Sequence, residues 1–489
     1  MKLLKLLDII GKYPIISCQG SIDKNISGIE HNSNKITKDN MFIAQKGFTH
    51  NGHIFIGDAV SKGANTIVIQ EDIQPIEDLT IVKVRDTTDA LGYFSSKFYR
   101  LPWRNMETIG ITGTNGKTST SYYIKEIFDV NENKVGLLGT IGAIIDHMHI
   151  DLDNTTPDSL EIQRIMKKMI QKKIEYCIME VSSHALDLKR VKYMDFHVGI
   201  FTNLSREHLD YHKNMENYFN SKLKLFYKTS KYNIINVDDY YSKTIIDMVG
   251  NRIPYITYGI KEKADVTASN IKYGLNKTSF ILHIGNNKEY ITLNQSGEFN
   301  VYNALAAAAC TSIYGIKIST IKEGLENVKS IKGRFELLPL DTDFNVIIDF
   351  AHTPESLKEV LISIDKFAEG RVIVVFGAGG NRDQSKRAVM GEIVGNYADF
   401  AIITSDNPRF EEPEKIIHDI VEGINKTCID YVQIVDRVEA IEYAIKNANP
   451  KDIILLTGKG HEEHMIIGNK KYPFNEREII LNIINNRKK

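Results

Sequence analysis

The stretch Gly110 to Thr120, GITGTNGKTST, ends like a phosphate-binding loop, Gly116-Lys117-Thr118. A standard loop reads G-x-x-x-x-G-K-[ST], and its first glycine would fall at Ile111. The apolar run ETIGIT ahead of it reads as a buried strand, and a helix is expected to open at Lys117. Amides at a helix start, together with the helix dipole, favour an anion. Lys117 would then reach the β- and γ-phosphates of a nucleotide, and Thr118 would offer its hydroxyl to Mg²⁺. An ordinary glycine turn with a solvated lysine stays open at this point.

Two further positions bear on the choice. IEYCIMEVSSHAL ends an apolar run on Glu180, where a metal-binding carboxylate would sit. IFTNLSREHLDYH ends another near His208. Either residue alone reads more readily as structural. Both lie beyond strands of the region that holds the loop, which argues for a converging site.

These residues need elements to hold them. The spacing predicts a helix from Lys117 to about Asp129 and strands ending at Thr140, Glu180 and Leu204. In PDSLEIQRIMKKMIQKK, Ile162, Ile165, Met166, Met169 and Ile170 keep helical spacing. Thr156 is expected as its N-cap and Pro157 as its first residue. Alternating strand and helix argues for a parallel sheet. Residues 264–293 read instead as antiparallel hairpins. Before them, residues 1–104 hold short strands such as NTIVI (65–69) and TIVKV (80–84), and Trp103 lies near a boundary. After them, 332–489 repeats a strand–loop–helix rhythm four times: FNVIIDF, RVIVVFG, DFAIITS and DIILLTG each run into a polar loop. Ligands in open α/β sheets bind beyond such strand ends. The fold class expected is α/β in three domains: 1–104, a central P-loop-type ATPase domain at 105–331 with a mostly parallel sheet, and a Rossmann-like domain at 332–489.

Composition narrows the function classes. Over 489 residues, 42% hydrophobic and 25% charged content is that of a soluble globular chain, and a net charge of −1 gives no global field for nucleic acid or membrane. Cys18, Cys177, Cys310 and Cys428 are far apart and read as reduced core residues of a cytosolic protein. MKLLKLLDIIGKYP reads as a short amphipathic helix rather than a signal peptide, and no run is long enough to span a membrane. Nothing in the pattern calls for more than a monomer.

TGTNGKT, EVSSHAL, NLSREHLDYH, YFNSKLKLF, GRFE, DFAHTPES and DNPR, in this order, resemble the Mur ligase family over nearly the whole chain. That family uses a shortened phosphate motif, which here begins at Gly113. The resemblance implies a cytoplasmic, ATP-dependent enzyme that phosphorylates a carboxylate and lets an amine displace the phosphate, in peptidoglycan synthesis. It implies ATP contacts from Gly113, Thr114, Asn115, Gly116, Lys117, Thr118, Ser119, Asn303, Arg334, Asp349 and His352. It implies two Mg²⁺ ions held by Thr118, Glu180, His208 and a CO₂-carbamylated Lys222. On residues alone, Lys222, Lys224 and Lys228 of an exposed-looking helix would be indistinguishable. For the UDP-sugar dipeptide, UDP-N-acetylmuramoyl-L-alanyl-D-glutamate, it implies a small amino-terminal α/β domain with Ser33 and the Gly47–His53 loop, and Asn154, Thr155, Thr156, Ser182 and Arg190.

The acceptor is read from SDNPRFEEP. Asp406, Asn407, Pro408 and Arg409 resemble the signature of family members that add meso-diaminopimelate, whose far end carries a carboxylate beside an ammonium. A guanidinium grips that carboxylate with two hydrogen bonds, and L-lysine lacks it. Arg387 resembles a further carboxylate contact, and Gly458 and Glu462 the partners of the ammonium. The alternatives are the same ligation with L-lysine, a folylpolyglutamate synthase, the family member that adds D-Ala-D-Ala, and a binding module that has lost ligation.

Overall fold

The computed structural model describes residues 3–47 and 51–487. The chain divides into two compact units. One holds the segments through Thr112, Asn133–Gly199 and Ser221–Tyr232; the other holds Gly113–Glu132, Ile200–Asn220 and the chain from Asn233 onward. Phe48, Thr49 and His50 of the expected uridine loop lie outside the described residues.

The first unit contains a five-stranded sheet in the order Ile15–Gln19, Thr80–Val84, Ala64–Ile69, Asn40–Ile43, Gly28–Glu30. Only the first pair is antiparallel. Side chains alternate between two cores, as strand geometry requires. Met41, Ile43, Val68 and Val82 pack in one core with Leu6, Ile9 and Phe94; Phe42, Ile67, Ile69 and Ile81 fill the other. The amino-terminal helix is shorter than expected, Leu6–Ile10, and follows a two-residue strand.

The same unit holds Met148–Ile150, Gly142–Ile145, Val135–Gly139, Tyr176–Glu180, Glu107–Thr112 and all but the last two residues of Phe196–Phe201, neighbours in that order. Tyr176–Glu180 pairs in parallel with both strands beside it. The helix Ser159–Gln171 buries Ile162, Ile165, Met166 and Met169 as its spacing predicts. Its start differs from expectation. Asp158 is the N-cap, accepting from the amides of Leu160 and Glu161. Burial would raise the Asp158 carboxyl, but His31 and those amides hold it at about 2. Thr156 turns its hydroxyl to the Glu180 carbonyl instead.

The second unit opens with the helix Lys117–Val130. Its strands Val266–Tyr273, Thr278–Ile284 and Asn287–Leu293 form the expected antiparallel hairpins. A six-stranded sheet follows, in the order Glu336–Leu337, Asn345–Asp349, Ile453–Thr457, Val372–Phe376, Phe400–Ile403, Asp430–Gln433. Every pair but the first is parallel. Val374, Phe376 and Leu455 meet Leu357, Met390 and Ile420 on one face; Ile373, Val375 and Leu456 meet Ile441 and Ile480 on the other. Helices on both faces explain why these strands read as continuous apolar runs. Two expectations are corrected here. Asp430–Gln433 is an additional strand, half-exposed at the sheet edge, so it lacks the apolar run that marked the others. The fourth loop leads not to a helix but to a hairpin, His464–Ile467 with Lys470–Pro473.

All four cysteines are free; Cys177 and Cys310 are core residues, whereas Cys18 is half-buried and Cys428 exposed. Among the described residues no helix is long and apolar enough to cross a membrane.

Candidate active site

The phosphate loop is built by close approach. Gly113 has φ +152°, and a Cβ there would lie 1.8 Å from Thr202 Oγ1. Gly116, the helix N-cap at φ +84°, would place a Cβ 2.3 Å from Asn303 Oδ1. Glycine is therefore needed at 113 rather than 111. Asn203 frames the turn: its carbonyl accepts from Thr114 N at 2.8 Å and its side-chain oxygen from Asn115 N at 2.9 Å. The Thr202 hydroxyl donates to the Asn115 carbonyl at 2.6 Å. Lys117 Nζ donates to the carbonyls of Gly113 and Thr114, at 2.9 and 2.7 Å. Its ammonium is thus held over the loop. Thr118 and Ser119 are buried in the first helical turn.

Three expected nucleotide residues surround this loop. Asn303 is buried rather than a helix-surface amide, and its Oδ1 lies 3.4 Å from Thr120 Oγ1. Arg334 Nη2 donates to Thr118 Oγ1 at 3.3 Å, and its guanidinium lies 4.6 Å from the Phe350 ring centroid. Asp349 is buried and accepts from Phe335 N and Ala351 N at 2.6 and 2.7 Å. Burial raises its carboxyl, against the pull of Arg334. It acts as a brace for the Arg334 turn rather than as a surface acid.

His352 faces two acceptors, the Phe350 carbonyl at 2.8 Å from Nδ1 and Glu207 Oε1 at 3.0 Å from Nε2. Burial alone would raise the Glu207 carboxyl, but His208, His352 and Lys117 hold it well below the usual carboxylate range. His208 has a left-handed φ of 57° and its Nε2 lies 3.5 Å from Glu207 Oε2.

In the first unit, Glu180 is fully buried at the end of its strand. Its two oxygens accept from Thr140 N at 3.0 Å and Thr140 Oγ1 at 2.9 Å. Gly139 gives it room, since a Cβ there would stand 2.1 Å from Glu180 Oε1. Thr155 Oγ1 is 3.1 Å from Thr140 Oγ1. Thr156 Oγ1 accepts from Ser182 N at 3.0 Å, and the Thr156 carbonyl accepts from Arg190 Nη1 at 2.7 Å. Thr140, Thr155, Thr156, Glu180, Ser182 and Arg190 thus form one connected cluster, with Asn154 exposed beside it. Ser33 is buried at the start of the short turn Ser33–Lys35. His53 binds backbone: its Nε2 accepts from the amides of Gln70 and Glu71.

The three lysines of YFNSKLKLFYK separate by burial. Lys222 is only 3% exposed. Lys224 is exposed and pairs with Asp187, and Lys228 donates to the Lys192 carbonyl. The reading of this helix as exposed is corrected at Lys222.

The residues expected to meet the acceptor gather at the sheet's carboxyl edge. Arg409 has φ 53° and donates from Nη1 to the Gly380 carbonyl at 2.9 Å. Its backbone N–H and carbonyl bond Ile466 O and Gly468 N of the hairpin. Burial lowers its pKa, and the nearby Arg382 adds to this, against Asp406 and Glu462. Asn407 Nδ2 donates to Glu462 Oε2 at 2.8 Å. Gly458 at φ +105° makes room for Asp406 Oδ2, 2.4 Å from where a Cβ would stand. Pro408 carries its carbonyl against Gly380. Arg387 is corrected: it is wholly buried, with Nη1 2.8 Å from Asp419 and Nη2 2.9 Å from Glu411, so its charge is committed to two carboxylates. The side chain that comes beside Arg409, both near Gly379, is that of Arg382. Sequence alone does not single it out, because one arginine looks like another in NRDQSKR.

Models of the Mur ligase family match three stretches: the family catalytic domain at 25–99, the Mur ligase middle domain at 111–311 and the glutamate ligase domain at 333–460. The chain belongs to the Mur ligase family, and is an ATP-dependent, amide-bond-forming ligase. Curated relatives named UDP-N-acetylmuramoyl-L-alanyl-D-glutamate--2,6-diaminopimelate ligase match it nearly end to end. That of Alkaliphilus oremlandii is 45% identical over 95% of both chains, and that of Clostridioides difficile 44% identical over 97% of this chain and 98% of its own. A solved structure of a protein of that name aligns over 100% of both chains at TM-score 0.70 and 26% identity. The fold is shared more widely: a MurF from Acinetobacter baumannii aligns at TM-score 0.71 with 18% identity, over 99% of both chains.

Proposed function

We propose that this enzyme adds meso-2,6-diaminopimelate to UDP-N-acetylmuramoyl-L-alanyl-D-glutamate in the cytoplasmic stage of peptidoglycan synthesis. ATP's γ-phosphoryl passes to a carboxylate of the D-glutamate, giving an acyl phosphate and ADP. The diaminopimelate amine then attacks the acyl carbon and inorganic phosphate leaves. The protein's part in such a step is positioning and charge neutralisation. Lys117 and the loop amides take the β- and γ-phosphates, Arg334 and Asn303 hold the nucleotide end, and Thr155, Thr156, Ser182 and Arg190 hold the dipeptide. The domain limits 1–104, 105–331 and 332–489 belong to this reading, with Ser33 and the Gly47–His53 loop on the uridine.

Among the described residues no three His, Cys, Asp or Glu side chains gather to hold a metal. Mg²⁺ takes one or two carboxylates and completes its shell with phosphate oxygens and water. Thr118, Glu180, His208 and carbamylated Lys222 would hold two such ions, which neutralise charge on the phosphates. The depth of Lys222 favours it over Lys224 and Lys228, since a carbamate made there is shielded from water.

The observation that carries the acceptor assignment is Arg409, a half-buried cation beside Arg382 with Glu462 and Asn407 close by. A head group with a carboxylate next to an ammonium matches that charge pattern. In a ligation assay, Arg409→Ala is expected to lose diaminopimelate use by about a hundredfold or more in kcat/KM while KM for ATP stays unchanged. Equal loss on both substrates would contradict the assignment.

A further inference from the structure

Lys459 lies in GKGHEEH between two residues assigned to the acceptor, yet its side chain is 0% exposed. It reaches three groups of the acceptor loops at once. Nζ donates to Asn407 Oδ1 at 3.0 Å and to Glu462 Oε2 at 3.2 Å, and lies 3.8 Å from Asp406 Oδ1. Its ammonium lies 5.8 Å from the Phe474 ring centroid. Asn407 Oδ1 also accepts from Ile466 N at 2.9 Å. With its oxygen held by two donors, the Asn407 amide must present its NH₂ to Glu462. Glu462 Oε2 is thereby committed to Lys459 and Asn407, and Oε1 is the oxygen left to meet a ligand's ammonium.

Ile466 also accepts, through its carbonyl, from Arg409 N at 3.1 Å. The chain of contacts therefore runs from Lys459 through Asn407 and the hairpin to the backbone of the arginine that faces the carboxylate. A buried ammonium between two carboxylates is costly unless paired, and pairing of this kind fixes geometry more than it adds stability. We infer that Lys459 is a positioning residue for acceptor specificity: it orients Asn407 and Glu462 for the distal ammonium and keeps their register with Arg409. This deepens the diaminopimelate reading and rests on it.

The test is steady-state kinetics of Lys459→Met, which keeps the aliphatic bulk and removes the charge, with each of the three substrates varied in turn. KM for meso-diaminopimelate is expected to rise about tenfold or more, the scale of a lost hydrogen bond to a charged group. KM for ATP and for the UDP-dipeptide should stay within about twofold. The second variant Lys459→Arg keeps a cation at the site and guards against loss of fold; its planar fork does not reproduce the ammonium's bonds to Asn407 and Glu462, so a selective rise in acceptor KM should persist in it. An unchanged acceptor KM in both variants, or an equal rise for all three substrates, would overturn the inference. Wild-type enzyme that does not ligate diaminopimelate would instead overturn the functional reading itself.

Discussion

Asn303 stands so close to the phosphate loop that a methyl group on Gly116 would lie 2.3 Å from its Oδ1. The loop's shape is therefore set by a residue nearly two hundred positions away in the chain. Gly116→Ala must displace Asn303 or the turn, and the alanine would also have to adopt φ +84°. Gly116→Ala is expected to lower kcat/KM for ATP by at least about a hundredfold, with the acceptor KM unchanged. Gly113→Ala should behave likewise, its methyl meeting Thr202 Oγ1. Nucleotide binding by calorimetry checks both.

The Glu207–His352 contact at 3.0 Å predicts a pH signature. The Glu207 carboxyl is depressed in the folded protein, so its contribution is present above its unfolded pKa and is lost as pH falls through the folded value. Glu207→Gln should cost about 3 kcal/mol near neutral pH, the scale for breaking a buried pair. Denaturant titrations of variant and wild type should converge as pH drops below the ordinary carboxylate range. A gap that persists or widens in acid would contradict the sign.

Lys222 and Lys224 sit two residues apart and should behave differently. Lys222→Ala is expected to remove ligation and to recover part of it with added acetate or formate. Lys224→Ala loses only an exposed pair with Asp187, worth about 0–1 kcal/mol, and should stay near wild type. A carbamate ¹³C resonance after ¹³C-bicarbonate addition, absent in Lys222→Ala, would locate the modification.

Arg387 and Arg382 should also separate. Arg387→Met leaves Glu411 and Asp419 without their partner and should destabilise the protein by about 3–5 kcal/mol. Arg382→Ala should leave the melting temperature unchanged and raise KM for diaminopimelate about tenfold. Melting curves and acceptor titrations on the two variants decide it.

The sequence made some of this legible and hid the rest for physical reasons. Gly116 is legible from the Gly-Lys-Thr ending ahead of a helix, whereas Gly113 is given only by the family resemblance, because the close approach that demands glycine there comes from Thr202, far along the chain. Glu180 could be picked out because it ends an apolar strand, whereas the strand before His208 stops at Phe201, and His208 lies seven residues further on, ahead of a short helix. The parallel sheet of 345–457 was readable from its unbroken apolar runs, whereas edge strand Asp430–Gln433 has no such run. Lys222 could not be told from Lys224 because burial on that helix depends on what packs against it. Arg387 and Arg382 are indistinguishable in sequence for the same reason. Thr156 and Asp158 are both good helix caps, and the choice rests on which oxygen meets the first free amides, those of Leu160 and Glu161, which bond to Asp158. Lys459 gives no signal in the sequence because a lysine in a glycine-rich loop ordinarily points to solvent.

The most direct test is an acceptor comparison under saturating ATP and UDP-N-acetylmuramoyl-L-alanyl-D-glutamate, measuring phosphate release and product mass with meso-diaminopimelate and with L-lysine. The Arg409 and Glu462 arrangement predicts that diaminopimelate is favoured by at least about a hundredfold in kcat/KM, because L-lysine leaves the guanidinium unpaired. Equal rates, or a preference for L-lysine, would contradict it.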